Sequence, residues 1–421
     1  MRNCVLRRRK VDNTCRQGYG PRMAIDTTLA AEALDLLDGA VRLRRQIHRF
    51  PELGLTLPKT QEVLLDSLHG IGVEGQASRT VSGITAMIDG DHDGPTIVLR
   101  ADMDALPLQE DTDVDFNSTV EGSMHACGHD LHVSMLVGAA QLLQARRREL
   151  HGRVLLMFQA GEEGFHGAKH MLDEGMLENV GDVNRAFALH VSTAGPTGSI
   201  SLKAGSLMAS SDTFQIVVKG RGGHASAPHL ALDPIPVACE IVQALQLMIT
   251  RRIDAFDPSV LTVGQIVAGT TSNVIPEIAT IIGTVRAVSE RTRTRVNDSI
   301  SRVAENIAAA HEATASVEVT FGYPVTINDD HVAAEVHRVT DELFGANYSN
   351  KMANPVMGAE DWSYVLQQVP GAMAFLGATP KGVDPRTVAN NHSNLVLFDE
   401  SSMSTGIALY AAMALDHLKS S

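Results

Sequence analysis

Cysteine is scarce in this chain. Four thiols, Cys4, Cys15, Cys127 and Cys239, are spread over 421 residues, too few and too scattered for a disulfide framework. Long apolar runs are missing as well: none reaches the roughly 18 residues that a membrane-spanning helix needs. Nor is positive charge in excess. The formal net charge is −14, which argues against a general affinity for nucleic acid. The first 22 residues are basic and have no apolar stretch of the kind a secretory signal requires. They are expected to form a disordered tail, or to precede a true start at Met23, and the protein is expected to be cytoplasmic. Aromatics supply 4 % of the residues while glycine numbers 35, a balance that suits an α/β protein with many tight strand-to-helix turns.

At 421 residues the chain exceeds one usual domain, so two are expected. The periodicity says how they are arranged. A helical pattern over 27–50 stops at Pro51. Strands are predicted at 83–89 and 96–100, with the turn DGDHDGP between them. A helix over 131–148, a buried strand over 153–159, a short helix over 168–177 and a strand over 186–191 follow. Strands alternating with helices predict a mostly parallel sheet with helices on both faces. From about residue 206 the order becomes β-α-β-β-α-β, that of a compact two-layer α+β domain of ferredoxin-like type. After Pro324 the pattern returns to the first kind. The expectation is a basic tail (1–22), a catalytic domain (23–205 and 324–421) and an inserted lid or dimerisation domain (206–323). One face or an edge strand of the insertion would be left open, which predicts a homodimer through it.

The stretch MHACGHD, 124–130, sets a thiol, two imidazoles and a carboxylate within seven positions. Core packing does not ask for that run. In open α/β sheets, function gathers beyond the carboxyl ends of the strands. Asp102 and Asp104 follow one predicted strand, Glu162 and Glu163 another, and His190 lies near the end of a third. With Cys127, His129 and His392 they make up the Cys, His and carboxylate set that binds zinc and similar metals. Because Glu162 and Glu163 are adjacent, one can bind metal while the other faces substrate, and spacing does not say which. The remaining histidines of this region, His48, His69, His132 and His170, are read as surface or satisfied core residues, and His125 is open to either reading. Cys239, in the apolar run PVACEIVQALQLMI, is read as a small buried hydrophobe.

Beyond these residues a family pattern emerges. RADMDALP (100–107), MHACGHD (124–130), FQAGEEGFHGA (158–168), ALHV (188–191), GRGGHASAPH (220–229), NVIP (273–276), GTVR (283–286), GAEDW (358–362) and the histidine of NNHSN occur in order. In these stretches the chain resembles the M20 metallopeptidases. It is most similar to their amidohydrolases, which include hippurate hydrolases, auxin-conjugate hydrolases and N-acyl-amino-acid deacylases. The resemblance implies that Cys127, His129, Glu163, His190 and His392 hold two divalent metal ions, zinc or manganese, with cobalt or nickel as alternatives. It implies Glu162 as general base and Asp104 as an acid that orients a ligand. It further implies that His224 acts on the substrate carbonyl, often from a neighbouring subunit, with Asn273 and Arg286 on the substrate carboxylate. Arg286 ends an apolar strand, where an unpaired cation is costly, which also favours a functional role. The expected substrate is an N-acyl amino acid or similar small amide. A dipeptidase of the same superfamily and a non-catalytic metal binder are the alternatives.

Overall fold

The computed structural model describes residues 25–419, so the expected tail at 1–22, with Cys4 and Cys15, lies outside the described residues. The chain enters through α1 (Thr28–Asp35), α2 (Leu37–His48) and α3 (Pro58–Gly70). The single helix predicted over 27–50 is thus two, divided at Leu36. The large sheet begins with β1 (Gly75–Ala77), β2 (Ile84–Asp89) and β3 (His92–Asp102), followed by α4 (His129–Ala145), β4 (His151–Gln159), α5 (Gly167–Asp173), β5 (Val183–Pro196) and β6 (Ile200–Leu202). A short strand, β7 (Gly205–Met208), leads out of it.

A separate sheet follows, built from β8 (Asp212–Lys219), β10 (Ser259–Ala268), β12 (Ile278–Ala287) and β13 (Thr314–Phe321), with a two-stranded ribbon of β9 (Gly223–His224) and β11 (Val274–Ile275) beside it. Its helices are α6 (Pro234–Arg252) and α7 (Glu290–Ala310). Each starts where the sequence caps it: the Asp233 carboxylate accepts from Ile235 N–H ahead of Pro234, and the Ser289 hydroxyl accepts from Thr292 N–H. The chain then returns through β14 (Thr326–Asn328), α8 (Asp330–Phe344), β15 (Ser349–Lys351), α9 (Ser363–Leu366), β16 (Gly371–Thr379) and α10 (Ser402–Leu418). No helix among the described residues is long and apolar enough to cross a membrane.

The large sheet has the order β1-β2-β4-β3-β5-β16-β6-β15. Its centre, β4-β3-β5-β16, is parallel, as the alternating pattern predicts, whereas β1, β2 and the β16–β6 pairing are antiparallel. The predicted turn over 89–95 is shorter than expected, because β3 already starts at His92. The link between β2 and β3 has to cross the start of β4, which threads between them. Space there is minimal: a Cβ on Gly94 would sit 2.1 Å from the His151 carbonyl oxygen.

The pleat divides each central strand between two cores. Ile97, Leu99 and Ala101 of β3, Val154, Leu156 and Phe158 of β4, and Phe187 and Leu189 of β5 face the side covered by α1 to α4, α8 and α10. Val98, Leu155, Met157, Ala186 and Ala188 face the other side, where α5 and α9 lie with Trp362. Burial on both faces explains why these strands read as continuous apolar runs.

The smaller sheet has the order β10-β12-β8-β13, antiparallel throughout. Phe214, Ile216, Val218, Ile281 and Val285 pack beneath α6 and α7 in a core of their own. The α6 stripe is Val237, Ala238, Ile241, Leu245 and Met248. Cys239 falls off that stripe and is exposed, so its reading as a buried hydrophobe is corrected. Two connections join the sheets, and they pair with each other: Thr326 is the β-partner of Met208, and Ser211 N–H donates to the Tyr323 carbonyl at 3.0 Å.

Candidate metal centre

The parallel strands β3, β4 and β5 deliver Asp102 and Asp104, Glu162 and Glu163, and His190 to one edge of the large sheet. The CGHD turn meets them there because of Gly128. Its φ of +88° is left-handed, and a Cβ on it would lie 2.3 Å from Val191 Cγ2. The turn therefore closes onto β5 and places Cys127 Sγ 3.3 Å from His190 Nε2. His392 comes from the loop before α10, held in a left-handed conformation at φ 69° that a residue with a side chain seldom adopts. Its N–H donates to the Ala126 carbonyl at 2.9 Å, and its Nε2 lies 3.3 Å from Cys127 Sγ and 3.2 Å from Glu163 Oε1. Asn391 ties the same loop to the Cys127 and Val191 carbonyls.

The ring nitrogens show what the cluster suits. His129 Nδ1 donates to the Asp104 carbonyl at 2.8 Å, and His190 Nδ1 to the Val191 carbonyl at 2.7 Å. Each ring then presents an Nε2 lone pair to the interior, the arrangement typical of histidines that ligate a metal. His129 Nε2 and Glu163 Oε1 are buried without an aligned hydrogen-bond partner. Cys127 with His129 and His190, Cys127 with Glu163 and His392, and His129 with Glu162 and Glu163 each offer ligand atoms within 4.8 Å of one another. Orphaned lone pairs facing one another around a thiol fit divalent cations.

The charges of these groups are coupled to one another. Burial alone would raise the Cys127 thiol, but His190 and His129 beside it bring it down to about 6, into the range of a ready thiolate. His190 is pushed up to about 9 against burial by the Cys127 charge, and His392 to about 10 by its close contacts with Cys127 and Glu163. The two glutamates diverge. Burial and the nearby Glu360 carboxylate push Glu162 well above the usual carboxylate range. For Glu163, burial is outweighed by His392 and His129, which hold it low.

A further set of buried side chains supports the cluster. The Asp104 carboxylate accepts from both Glu162 N–H (2.9 Å) and Glu163 N–H (3.0 Å), so it fixes the turn that carries both glutamates. Arg100, fully buried, pairs with Asp102 at 2.8 Å, Glu360 at 2.8 Å and Asp361 at 3.3 Å. Asp102 accepts from His132 Nδ1 at 2.5 Å, and His132 Nε2 accepts from Val191 N–H at 2.8 Å. At the start of α4, Asp130 is gripped by Arg44 and by His48 Nδ1, each at 2.8 Å. His48 and His132, read as background in the sequence, thus brace the residues around the cluster. Arg100, Glu360 and Asp361 lie inside the RADMDALP and GAEDW stretches but carried no assigned role. His69 pairs with Glu74 at the exposed surface, and His125 is buried with neither ring nitrogen hydrogen-bonded.

The cluster opens into a cavity of about 590 Å³ lined by Cys127, Glu162, Glu163, His190, His392 and Arg286, with Met208, Tyr323, Val356 and Phe375. His224 and Asn273 are not among its lining residues. They sit together on the β9–β11 ribbon, where His224 is the β-partner of Val274 and Ala225 N–H donates to the Asn273 carbonyl at 3.0 Å. Both are exposed.

Comparison with known proteins places this candidate metal centre in a family. The sequence profile of Peptidase family M20/M25/M40 matches residues 98–416. The chain is 37 % identical over 393 residues to IAA-amino acid hydrolase ILR1-like 2 of Arabidopsis thaliana, covering 92 % of this chain and 87 % of that protein. It is 35 % identical to the hippurate hydrolase of Campylobacter jejuni, covering 93 % of this chain and all of that one. The crystal structure of the YXEP protein of Bacillus subtilis, described as a dinuclear metal binding peptidase from the M20 family, superposes with a TM-score of 0.80. That match is 32 % identical and covers 92 % of this chain and 100 % of that one. The chain belongs to peptidase family M20/M25/M40 and is a hydrolase acting on amide bonds.

Proposed function

We propose that this enzyme splits N-acyl amino acids, or similar small amide conjugates, into a carboxylic acid and an amino acid. The observation that carries the reading is the divergence of the two adjacent glutamates at the cavity wall. Glu163 Oε1 lies 3.2 Å from His392 Nε2 in the group it forms with Cys127, whereas Glu162 also lies beside the Glu360 and Asp361 carboxylates. That is the division of labour expected of a ligand and a general base. Cys127, His129, Glu163, His190 and His392 would hold two divalent ions. The soft thiolate favours zinc, with manganese, cobalt or nickel also compatible with the mixed donor set. When bound, the ions would polarise the scissile carbonyl and acidify a water molecule. Glu162 takes the proton of the attacking water and returns it to the leaving amine. Asp104, by holding the Glu162 and Glu163 amides, orients both carboxylates.

Arg286 supports recognition of a free carboxylate on the substrate. It lines the cavity half-buried, burial lowers its pKa from the usual arginine value, and it makes no ion pair among the described residues. Met208, Val356 and Phe375 give the cavity an apolar wall for the rest of the substrate. His224 and Asn273 would act as the oxyanion donor and a carboxylate contact after residues 206–323 swing as a lid, or from a second subunit. A homodimer through that segment is favoured by the exposed Val260, Ile266 and Val267 on β10, an edge strand open to pairing. The relatives named as amino acid conjugate and hippurate hydrolases agree with this substrate class. A cytoplasmic setting is consistent with an exposed, unpaired Cys239. The test is metal analysis of the purified protein joined to a hydrolysis panel of N-acyl amino acids against free dipeptides. Turnover of the acyl amino acids is expected. Exclusive turnover of dipeptides would overturn the substrate assignment.

A further inference from the structure

The Glu162–Glu163 turn is held from two sides. Asp104 grips its amides from β3. On the opposite side, Tyr323 reaches in from the second connection to the small sheet. Its hydroxyl donates to the Glu162 carbonyl and accepts from Gly164 N–H at 2.7 Å, with His166 N–H at 3.4 Å. The residue is 6 % exposed, and its ring packs edge-on against His166 at 4.8 Å between centroids. Gly164 N–H also donates to the Glu162 carbonyl at 2.7 Å, so the phenol bonds both ends of a tight turn whose glycine sits at φ +89°. Tyr323 is also the residue whose carbonyl accepts from Ser211 N–H, where the two connections pair. One side chain therefore joins the connector to the backbone of the proposed base.

We infer that Tyr323 is a positioning residue for Glu162, fixing the base through the backbone of its turn and making its placement depend on the connector between the two sheets. The inference rests on the role given to Glu162 above. Tyr323 transfers no proton and contributes no charge; it acts by holding the Glu162 carbonyl and the Gly164 amide. A movement of the small sheet that shifted Tyr323 would shift the base with it.

The test is Tyr323→Phe, which deletes the hydroxyl and keeps the ring. Tyr364→Phe is the control, since Tyr364 belongs to the same aromatic cluster but its hydroxyl pairs with His166 Nδ1 at 2.9 Å and the Gly322 carbonyl at 3.4 Å, not with the backbone of Glu162. Losing hydrogen bonds of this kind changes an equilibrium by up to roughly tenfold. Tyr323→Phe should lower kcat by about that factor, with KM and metal content near wild type. By hydrogen exchange, the peptide containing Gly164 should lose protection by roughly tenfold, and Tyr364→Phe should do neither. In a Glu162→Gln background, Tyr323→Phe should reduce the residual rate no further. Unchanged protection at Gly164, or a full additional loss in the Glu162→Gln background, would overturn the inference. Should Glu162→Gln itself retain turnover, the assignment of Glu162 fails separately, and with it the claim that Tyr323 positions a base.

Discussion

Replacing Gly128 by alanine adds one methyl group to the centre of the site. The structure says what that methyl meets. At φ +88° and ψ 20° the residue is left-handed, which costs an L-amino acid roughly 1–2 kcal/mol. The new Cβ would lie 2.3 Å from Val191 Cγ2 and 3.3 Å from the Phe398 ring, where carbon atoms pack comfortably at about 3.5–4.0 Å. Val191 must therefore retreat by more than 1 Å in a fully buried position, and forcing an extra methyl into a packed core costs about 1–3 kcal/mol. The sum is about 2–5 kcal/mol. The displacement falls on the ligands, because Cys127 and His129 flank Gly128 and His190 precedes Val191. Metal content, measured by elemental analysis after dialysis, should drop together with the denaturation midpoint of the metal-stripped protein. Val191→Ala removes the obstructing methyls, so the double variant should be more stable than the two single changes predict by about 1–3 kcal/mol, the usual coupling of residues in contact. Strict additivity in the metal-stripped protein, or a Gly128→Ala midpoint equal to wild type, would refute the steric account.

Three more outcomes follow from the same geometry. Cys127→Ala should lose metal and most activity, since a methyl cannot replace a thiolate ligand; full metal and full rate together would dismiss the centre. Glu162→Gln should keep metal and lose turnover, whereas Glu163→Gln should lose metal as well, and equal metal loss in both would contradict the division between them. His224→Ala should keep metal while kcat falls by a factor equivalent to about 3 kcal/mol, the typical worth of an oxyanion donor. Mixing His224→Ala with Glu162→Gln subunits should restore activity if the histidine serves the partner's site. Absence of recovery despite demonstrated exchange would place His224 in its own chain's site or outside the reaction.

What could be read from the sequence was whatever short-range pattern records. Thiol, imidazoles and acids placed just past strand ends do converge, because a parallel sheet gathers its strand ends on one edge. The two-faced burial of β3, β4 and β5 was likewise visible as unbroken apolar runs. Facts that depend on distant partners were not. The threading of β4 between β2 and β3 is set by pairing across more than 50 positions in sequence. His132 and His170 look alike as helical histidines, yet only His132 sits beside Asp102. Cys239 lies in an apolar run, and its exposure follows from a helical phase one position away from the buried stripe. The break at Leu36 has no marker in the local pattern. Tyr323 escaped notice because its phenol meets a turn some 160 positions earlier.

The pairing of Met208 with Thr326 brings the two ends of the intervening segment to the spacing of neighbouring strands, about 5 Å. For the large sheet to form, β16 must find β5 across roughly 175 residues of intervening chain, a closure that costs about 4–5 kcal/mol if that chain is loose. If the small sheet folds first, its β8–β13 pairing has already brought those ends together, and the loose chain to be closed falls to roughly 65 residues, a saving of about 1 kcal/mol. The insertion would then be a folding clamp for the protein that surrounds it. Trp362, the sole tryptophan and fully buried beside the large sheet, reports on that sheet alone. Weakening the β8–β13 pairing should therefore slow the Trp362 fluorescence phase of refolding, although the residues changed never touch the tryptophan's surroundings.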